Sequence, residues 1–206
     1  MTPRVRARIL MFALVTVAAA ALGLVAGKLW LAPGGGPAVS GQPVASGTAT
    51  LGGPFTLVDQ TGTERQLADW RGKYLLMFFG YTHCPDFCPT GLQSMAEAVD
   101  ALGADGDAVV PVFITIDPAR DTPALLAEYV PLFHPRLVGL TGTAEQVAAA
   151  AAAWRVYYAR GPGDDDDYLM DHSTLIYLVD PEGRYLSHFR HGTDPAEMAE
   201  GIRSLM

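Results

Sequence analysis

The chain has 206 residues and two cysteines, and both cysteines lie in one stretch, Tyr-Thr-His-Cys-Pro-Asp-Phe-Cys-Pro-Thr at positions 81–90. Cys84 and Cys88 stand four positions apart, each followed by a proline, Pro85 and Pro89. Three chemistries suit two thiols at this spacing: a structural disulfide, a dithiol redox pair, or a clamp for a metal. If the stretch opens a helix, residues at i and i+4 share a face and the sulfurs converge. Prolines cost little in a first turn, whose N–H groups have no partner within the helix. The positive end of the helix would also favour thiolate, which is both the nucleophile and the metal ligand.

A bridge closing so short a loop adds little stability, which weighs against a purely structural disulfide. A redox pair fits better, although Pro85, Asp86 and Phe87 make three intervening residues where the thioredoxin motif has two. A metal clamp needs a further ligand, and five histidines are available. His83 adjoins Cys84 but points away from it in an extended loop. His134 ends a helix, and His188 and His191 belong to a late strand and its turn, where solvated histidines are common. His172, in Tyr-Leu-Met-Asp-His-Ser (168–173), stands in a loop entering an apolar strand. Asp171 beside it either orients the imidazole as an acceptor or caps the turn. Met77, Met95 and Met170 read as packing residues, and Asp117, Arg120 and Asp121 as charges fixing a loop between strand and helix.

Several elements must position these groups. Residues 55–59 read as a strand entering a turn, and 74–80, Tyr-Leu-Leu-Met-Phe-Phe-Gly, as a strand buried on both faces. A helix is expected over 91–102, then a buried strand over 108–117 with a gap or bulge near Pro111. Thr122 and Pro123 open a helix, and Thr143 and Glu145 open another over 143–154, with a short strand at 137–142 between them. Strand-like runs at 156–160, 173–180 and 185–190 precede a last helix from Asp194 to about Leu205. The alternation gives an α/β layered domain with a mixed sheet. A cysteine pair between a buried strand and a helix is the layout of thioredoxin-like domains. The run Asp164–Asp167 reads as a solvated loop.

Upstream the chain changes character. Residues 9–27 carry no charge and follow Arg4, Arg6 and Arg8. That length suits a membrane-spanning helix, whereas a cleaved signal peptide has a shorter apolar region of roughly 7–15 residues. An Ala-rich stretch at 18–21 keeps cleavage open. The arginines leave the N-terminus in the cytoplasm and the rest of the chain outside. Three parts are expected: an anchor at 1–31, a Gly/Pro-rich linker at 32–53 reaching on the order of 25 Å, and one domain at 54–206. The domain holds ten of the 14 basic residues against all 22 acidic ones, a formal charge of −12. Nucleic acid would require a basic face and is not expected as a partner.

The stretches 78–90, 113–123 (Phe-Ile-Thr-Ile-Asp-Pro-Ala-Arg-Asp-Thr-Pro) and 168–189 resemble the Sco/SenC copper chaperones across residues 53–206. The resemblance implies a membrane-anchored, three-layer thioredoxin-like domain in the bacterial inner membrane, facing the periplasm. It implies copper held by Cys84, Cys88 and His172, and delivery to the dinuclear copper site of cytochrome c oxidase subunit II. An upstream periplasmic copper donor and a thiol reductant would be further partners, since loading needs Cys84 and Cys88 reduced. On this reading the protein is a metallochaperone rather than an enzyme. The alternative is a thiol-disulfide oxidoreductase that uses a Cys84–Cys88 redox disulfide to reduce the partner's cysteines. Thioredoxin-type reductants keep an X-Pro before the late strand, where this chain has Asp171-His172-Ser173. A thiol peroxidase would leave His172 without a role.

Overall fold

The computed structural model describes residues 51–164 and 167–206. The anchor, nearly all of the linker, and residues 165–166 of the acidic run therefore lie outside the described residues. Among those described, no helix is long and apolar enough to cross a membrane.

The centre is strand β3 (Tyr74–Gly80), whose residues from Leu75 onward are all buried. An apolar run of this kind is stable only with both sheet faces covered. It pairs in parallel with β4 (Val109–Thr115), and β4 pairs in parallel with β5 (Val138–Thr141). On its other side β3 pairs antiparallel with β8 (Ile176–Val179), which pairs with β9 (Tyr185–Phe189). Strands β1 (Thr56–Asp59) and β2 (Glu64–Gln66) complete a seven-stranded mixed sheet, order β2-β1-β5-β4-β3-β8-β9. Strands β6 (Tyr158–Gly163) and β7 (Tyr168–His172) form a separate antiparallel ribbon.

Helix α1 (Phe87–Ala101) links β3 to β4, and α2 (Pro123–Tyr129) links β4 to β5. Right-handed crossovers running in one direction put both helices on the same face. The rings agree: Phe78 lies against Gly91 of α1, and its cross-strand neighbour Phe113 packs on Tyr129 of α2. Helix α4 (Pro195–Arg203) packs on α1. The opposite face is closed after α3 (Ala144–Ala153), where buried Trp154 meets Tyr177 edge-on and Tyr177 meets Phe79. The expected three-layer thioredoxin-like arrangement is present.

Local chemistry sets the helix starts. The Thr122 hydroxyl accepts from the Leu125 amide, and Thr143 and Gln146 form a reciprocal capping box. The gap expected near Pro111 lies on the β5 side, where pairing begins only at Val112, and there is no register shift against β3. Two other expectations need correction. β2 and β7 are strands that the sequence pattern did not reveal, because both are short and polar enough to read as loop. Helix α1 begins at Phe87 rather than 91, because Pro89 falls in the first turn, where a missing N–H is tolerated.

Candidate metal centre

The site forms at the carboxyl end of β3, where the chain turns into α1. Cys88 occupies the second position of the helix; Cys84 precedes it, beyond Pro85 and the boundary residue Asp86. The two cysteines are therefore not one turn apart on a single helix, as the i,i+4 reading supposed. The Cys84 sulfur instead faces the helix end and accepts the Cys88 backbone N–H at 3.3 Å. The thiol group thus does the work of a helix cap, and the Asp86 side chain makes no capping bond. Both cysteines are buried and free.

This placement separates the two thiols chemically. Cys84 is held far below the ordinary thiol range, first by a hydrogen bond from the Cys88 thiol. Burial opposes this, while the backbone amides of Asp86 and Cys88 add to it. Cys88 is pushed up by the same shared proton and by its deep burial. The shared proton thus favours the thiolate form at Cys84 over that at Cys88.

Gly80 makes room for Cys88. A Cβ at Gly80 would lie 2.7 Å from the Cys88 sulfur and 3.0 Å from the Phe113 ring. A glycine closing a buried strand is the sequence signal of such a close approach. Two residues on, Thr82 is tied down by Asp121, which is fully buried. Its carboxylate accepts the Thr82 amide at 3.0 Å and the hydroxyls of Thr82 and Thr115. Asp117 accepts Arg120 Nε at 2.6 Å. These are the loop-fixing roles expected of the three charged residues.

His172 reaches the site from the ribbon. It ends β7, paired with Tyr158, and so is not in a loop as the sequence suggested. Its Nε2 is 3.5 Å from the Cys88 sulfur, and the ring packs edge-on against Phe78 and Tyr81. The partner of Nδ1 is the Ser173 carbonyl at 2.8 Å. A carbonyl only accepts, so the neutral ring carries its proton at Nδ1 and turns the Nε2 lone pair to the sulfurs. Ser173 thus takes the orienting part considered for Asp171, which is exposed. One ligand atom from each of Cys84, Cys88 and His172 lies within 4.8 Å of the others.

The other histidines stay outside this group. His83 is bonded to the Thr82 hydroxyl at 3.0 Å, and His134 is buried against Asp100. His188 stacks on Tyr185, and His191 bonds Thr90 at the start of α1. Met77 and Met95 are core residues. A cleft of about 480 Å³ opens beside Cys84 and His172, lined also by Tyr81, Phe87, Leu169 and Met170.

Comparison with protein-family models matches residues 43–206 to SCO1/SenC. The chain belongs to the SCO1/SenC family. Among curated relatives, "Protein SCO2 homolog, mitochondrial" of Mus musculus is 49% identical over 154 residues, covering 73% of this chain and 60% of that protein. The chain thus spans under two thirds of the mouse relative's length. "SCO2-like protein RC0895" of Rickettsia conorii is 46% identical over 156 residues, covering 75% of this chain and 76% of that protein. The copper-bound structure of ScoI from Bradyrhizobium japonicum superimposes with a TM-score of 0.71 at 44% identity. It covers 76% of this chain and 99% of that one. Copper-bound yeast Sco1 gives 0.71 at 40% identity, covering 75% and 87%. These two family members carry copper, and the donor set here is two sulfurs and one imidazole.

Proposed function

We propose that this protein is a copper metallochaperone that carries the ion on Cys84, Cys88 and His172 and delivers it to the dinuclear copper site of cytochrome c oxidase subunit II. The observation that carries the reading is the convergence of two sulfurs and one bare imidazole nitrogen at the end of β3. Two soft sulfurs with an imidazole suit Cu(I), whereas structural zinc takes four protein ligands. Three donors beside an open cleft leave an approach for a ligand from the recipient, which transfer requires. The copper-bound relatives support the cargo, and membership of the Sco family, described for a Sco relative as one of cytochrome c oxidase assembly proteins, supports the oxidase setting. An uncleaved N-terminal anchor, with this domain in the periplasm of a bacterial inner membrane, would keep the carrier near its recipient. A periplasmic copper donor and a thiol reductant would load it.

Anaerobic Cu(I) titration of the reduced full-length chain tests this. About one copper per chain is expected, with X-ray absorption showing sulfur and nitrogen neighbours. Cys84→Ser and Cys88→Ser should each abolish tight binding, and His172→Ala should remove the nitrogen. Full affinity in His172→Ala would refute the three-donor site.

The depressed Cys84 thiol supports a second activity at the same atoms. The Cys84 thiolate attacks a partner disulfide and releases one partner thiolate. Cys88 then attacks the mixed disulfide, releasing the second thiol and leaving a Cys84–Cys88 disulfide. His172→Ala should spare this exchange, which separates it from copper carriage.

A further inference from the structure

His172 sits on a ribbon that has little of its own to hold it in place. Among the described residues of β6 and β7, Tyr168 alone is buried. Along β7 the residues alternate: Tyr168, Met170 and His172 turn inward, while Leu169 and Asp171 are exposed. At about 3.3 Å per residue, Tyr168 and His172 mark the two ends of this inward face, roughly 13 Å apart.

Tyr168 is held from three sides. The guanidinium carbons of Arg120 and Arg160 stand 3.6 and 3.9 Å from its ring centre. Two guanidinium groups at those heights cannot share one face, so the ring is sandwiched. Cation–π contacts of this kind gain strength when desolvated. The Tyr168 hydroxyl donates to Asp117 Oδ1 at 2.7 Å, and the other oxygen of that carboxylate takes Arg120 Nε. Asp117 and Arg120 belong to the loop leaving β4, anchored in the central sheet, whereas Arg160 belongs to β6. Tyr168 therefore fastens both strands of the ribbon to the body of the domain.

The same contacts lead toward the sulfurs. Arg120 also lies 5.9 Å from the Tyr81 ring centre, and Tyr81 meets His172 edge-on. We propose that Tyr168 is a positioning residue for His172: a latch that docks the ribbon onto the β4 loop and so fixes the imidazole beside Cys84 and Cys88. The latch rests on the copper-carrier reading, because it acts through a ligand of the cargo. Without it, the ribbon would rest on the body only through the half-buried Tyr158 and Met170 and the ring contacts of His172 with Phe78 and Tyr81.

A double-mutant cycle on the full-length chain tests the latch. Cu(I) affinity is measured by competition with a chromophoric chelator for wild type, Tyr168→Leu, His172→Ala and the double variant. Tyr168→Leu is expected to weaken binding by about tenfold, the lower end for residues that orient a metal ligand. It should also reduce the nitrogen contribution in X-ray absorption. In the His172→Ala background the same substitution should cause no further loss. Independently of copper, amide hydrogen exchange in β6 and β7 should accelerate while that of α1 stays unchanged. If Tyr168→Leu does not fold, Tyr168→Phe removes only the bond to Asp117 and should give a smaller loss, about threefold, with the same dependence on His172. Equal weakening in both backgrounds overturns the latch, as does unchanged binding in a folded Tyr168→Leu while His172→Ala binds weakly. No loss on either substitution overturns the three-donor site itself.

Discussion

Replacing Gly80 by alanine adds one methyl group at the point where the sheet meets the sulfurs. That carbon would stand 2.7 Å from the Cys88 sulfur, 3.0 Å from the Phe113 ring and 3.1 Å from the Phe78 ring. Ordinary contacts between such atoms lie near 3.5–4.0 Å, so the sulfur must retreat by about 1 Å. Phe78 and Phe113 are fully buried and leave no slack on the other side. Forcing a methyl group into a packed core costs typically 1–3 kcal/mol. For a domain of this size, 2 kcal/mol corresponds to a fall in Tm of about 4–8 °C. The displaced sulfur matters more than the stability, because binding sites tolerate roughly 0.5 Å of misplacement. Gly80→Ala should therefore weaken Cu(I) binding by about tenfold or more while the protein still folds. Urea denaturation of the apoprotein and chelator competition for copper measure the two effects. Unchanged copper affinity, with stability within about 0.5 kcal/mol of wild type, would show that the close approach of Gly80 and Cys88 does not shape the site.

The asymmetry of the thiols can be read directly. Thiolate absorbance near 240 nm should persist at pH 6, where an ordinary thiol with pKa near 8.5 is protonated, and should be lost in Cys84→Ser. Cys88→Ala removes the principal donor to that thiolate, so its titration should move upward; no movement would refute the shared proton. Asp59 offers a test of acid stability away from the site. Burial alone would raise its pKa, but bonds from the side chains of Thr61 and Arg65 and from the amides of Thr63 and Thr61 bring it down to about 2. A carboxyl lowered on folding stabilises the native state above its unfolded value near 3.9, and that contribution disappears as pH falls through 2. Asp59→Asn should cost about 2 kcal/mol at pH 7 and nothing extra below pH 2, as measured by urea denaturation across pH. A cost independent of pH would refute the assignment.

Much of the scaffold was legible because its elements are locally consistent. The apolar run 74–80 has no stable place but a doubly covered strand, and it is β3 over those same residues. Thr122 and Thr143 announced their helices because a hydroxyl before a helix has one good use there. The site was half legible. Two cysteines before a helix pointed to thiolate chemistry, and the choice of His172 among five histidines needed the topology of a fold inferred from pattern and resemblance. Strand β7 was not legible, because Tyr-Leu-Met-Asp-His has no strong preference of its own and becomes a strand by pairing with β6. The latch at Tyr168 was equally hidden: Asp117, Arg120 and Arg160 come from other elements, and no local spacing records their meeting.

By itself, the sequence determined the chemistry on offer: two thiols at the mouth of a buried strand, one candidate imidazole among five, and an acidic domain. Only the tertiary structure decided which thiol is shifted down and which up, which nitrogen faces the sulfurs, and what holds the ribbon against them. The physical reason is range. Strand and helix preferences act between near neighbours along the chain, whereas a shared proton, a ring wedged between two guanidinium groups and a methyl-sized gap at Gly80 exist only once distant segments have packed.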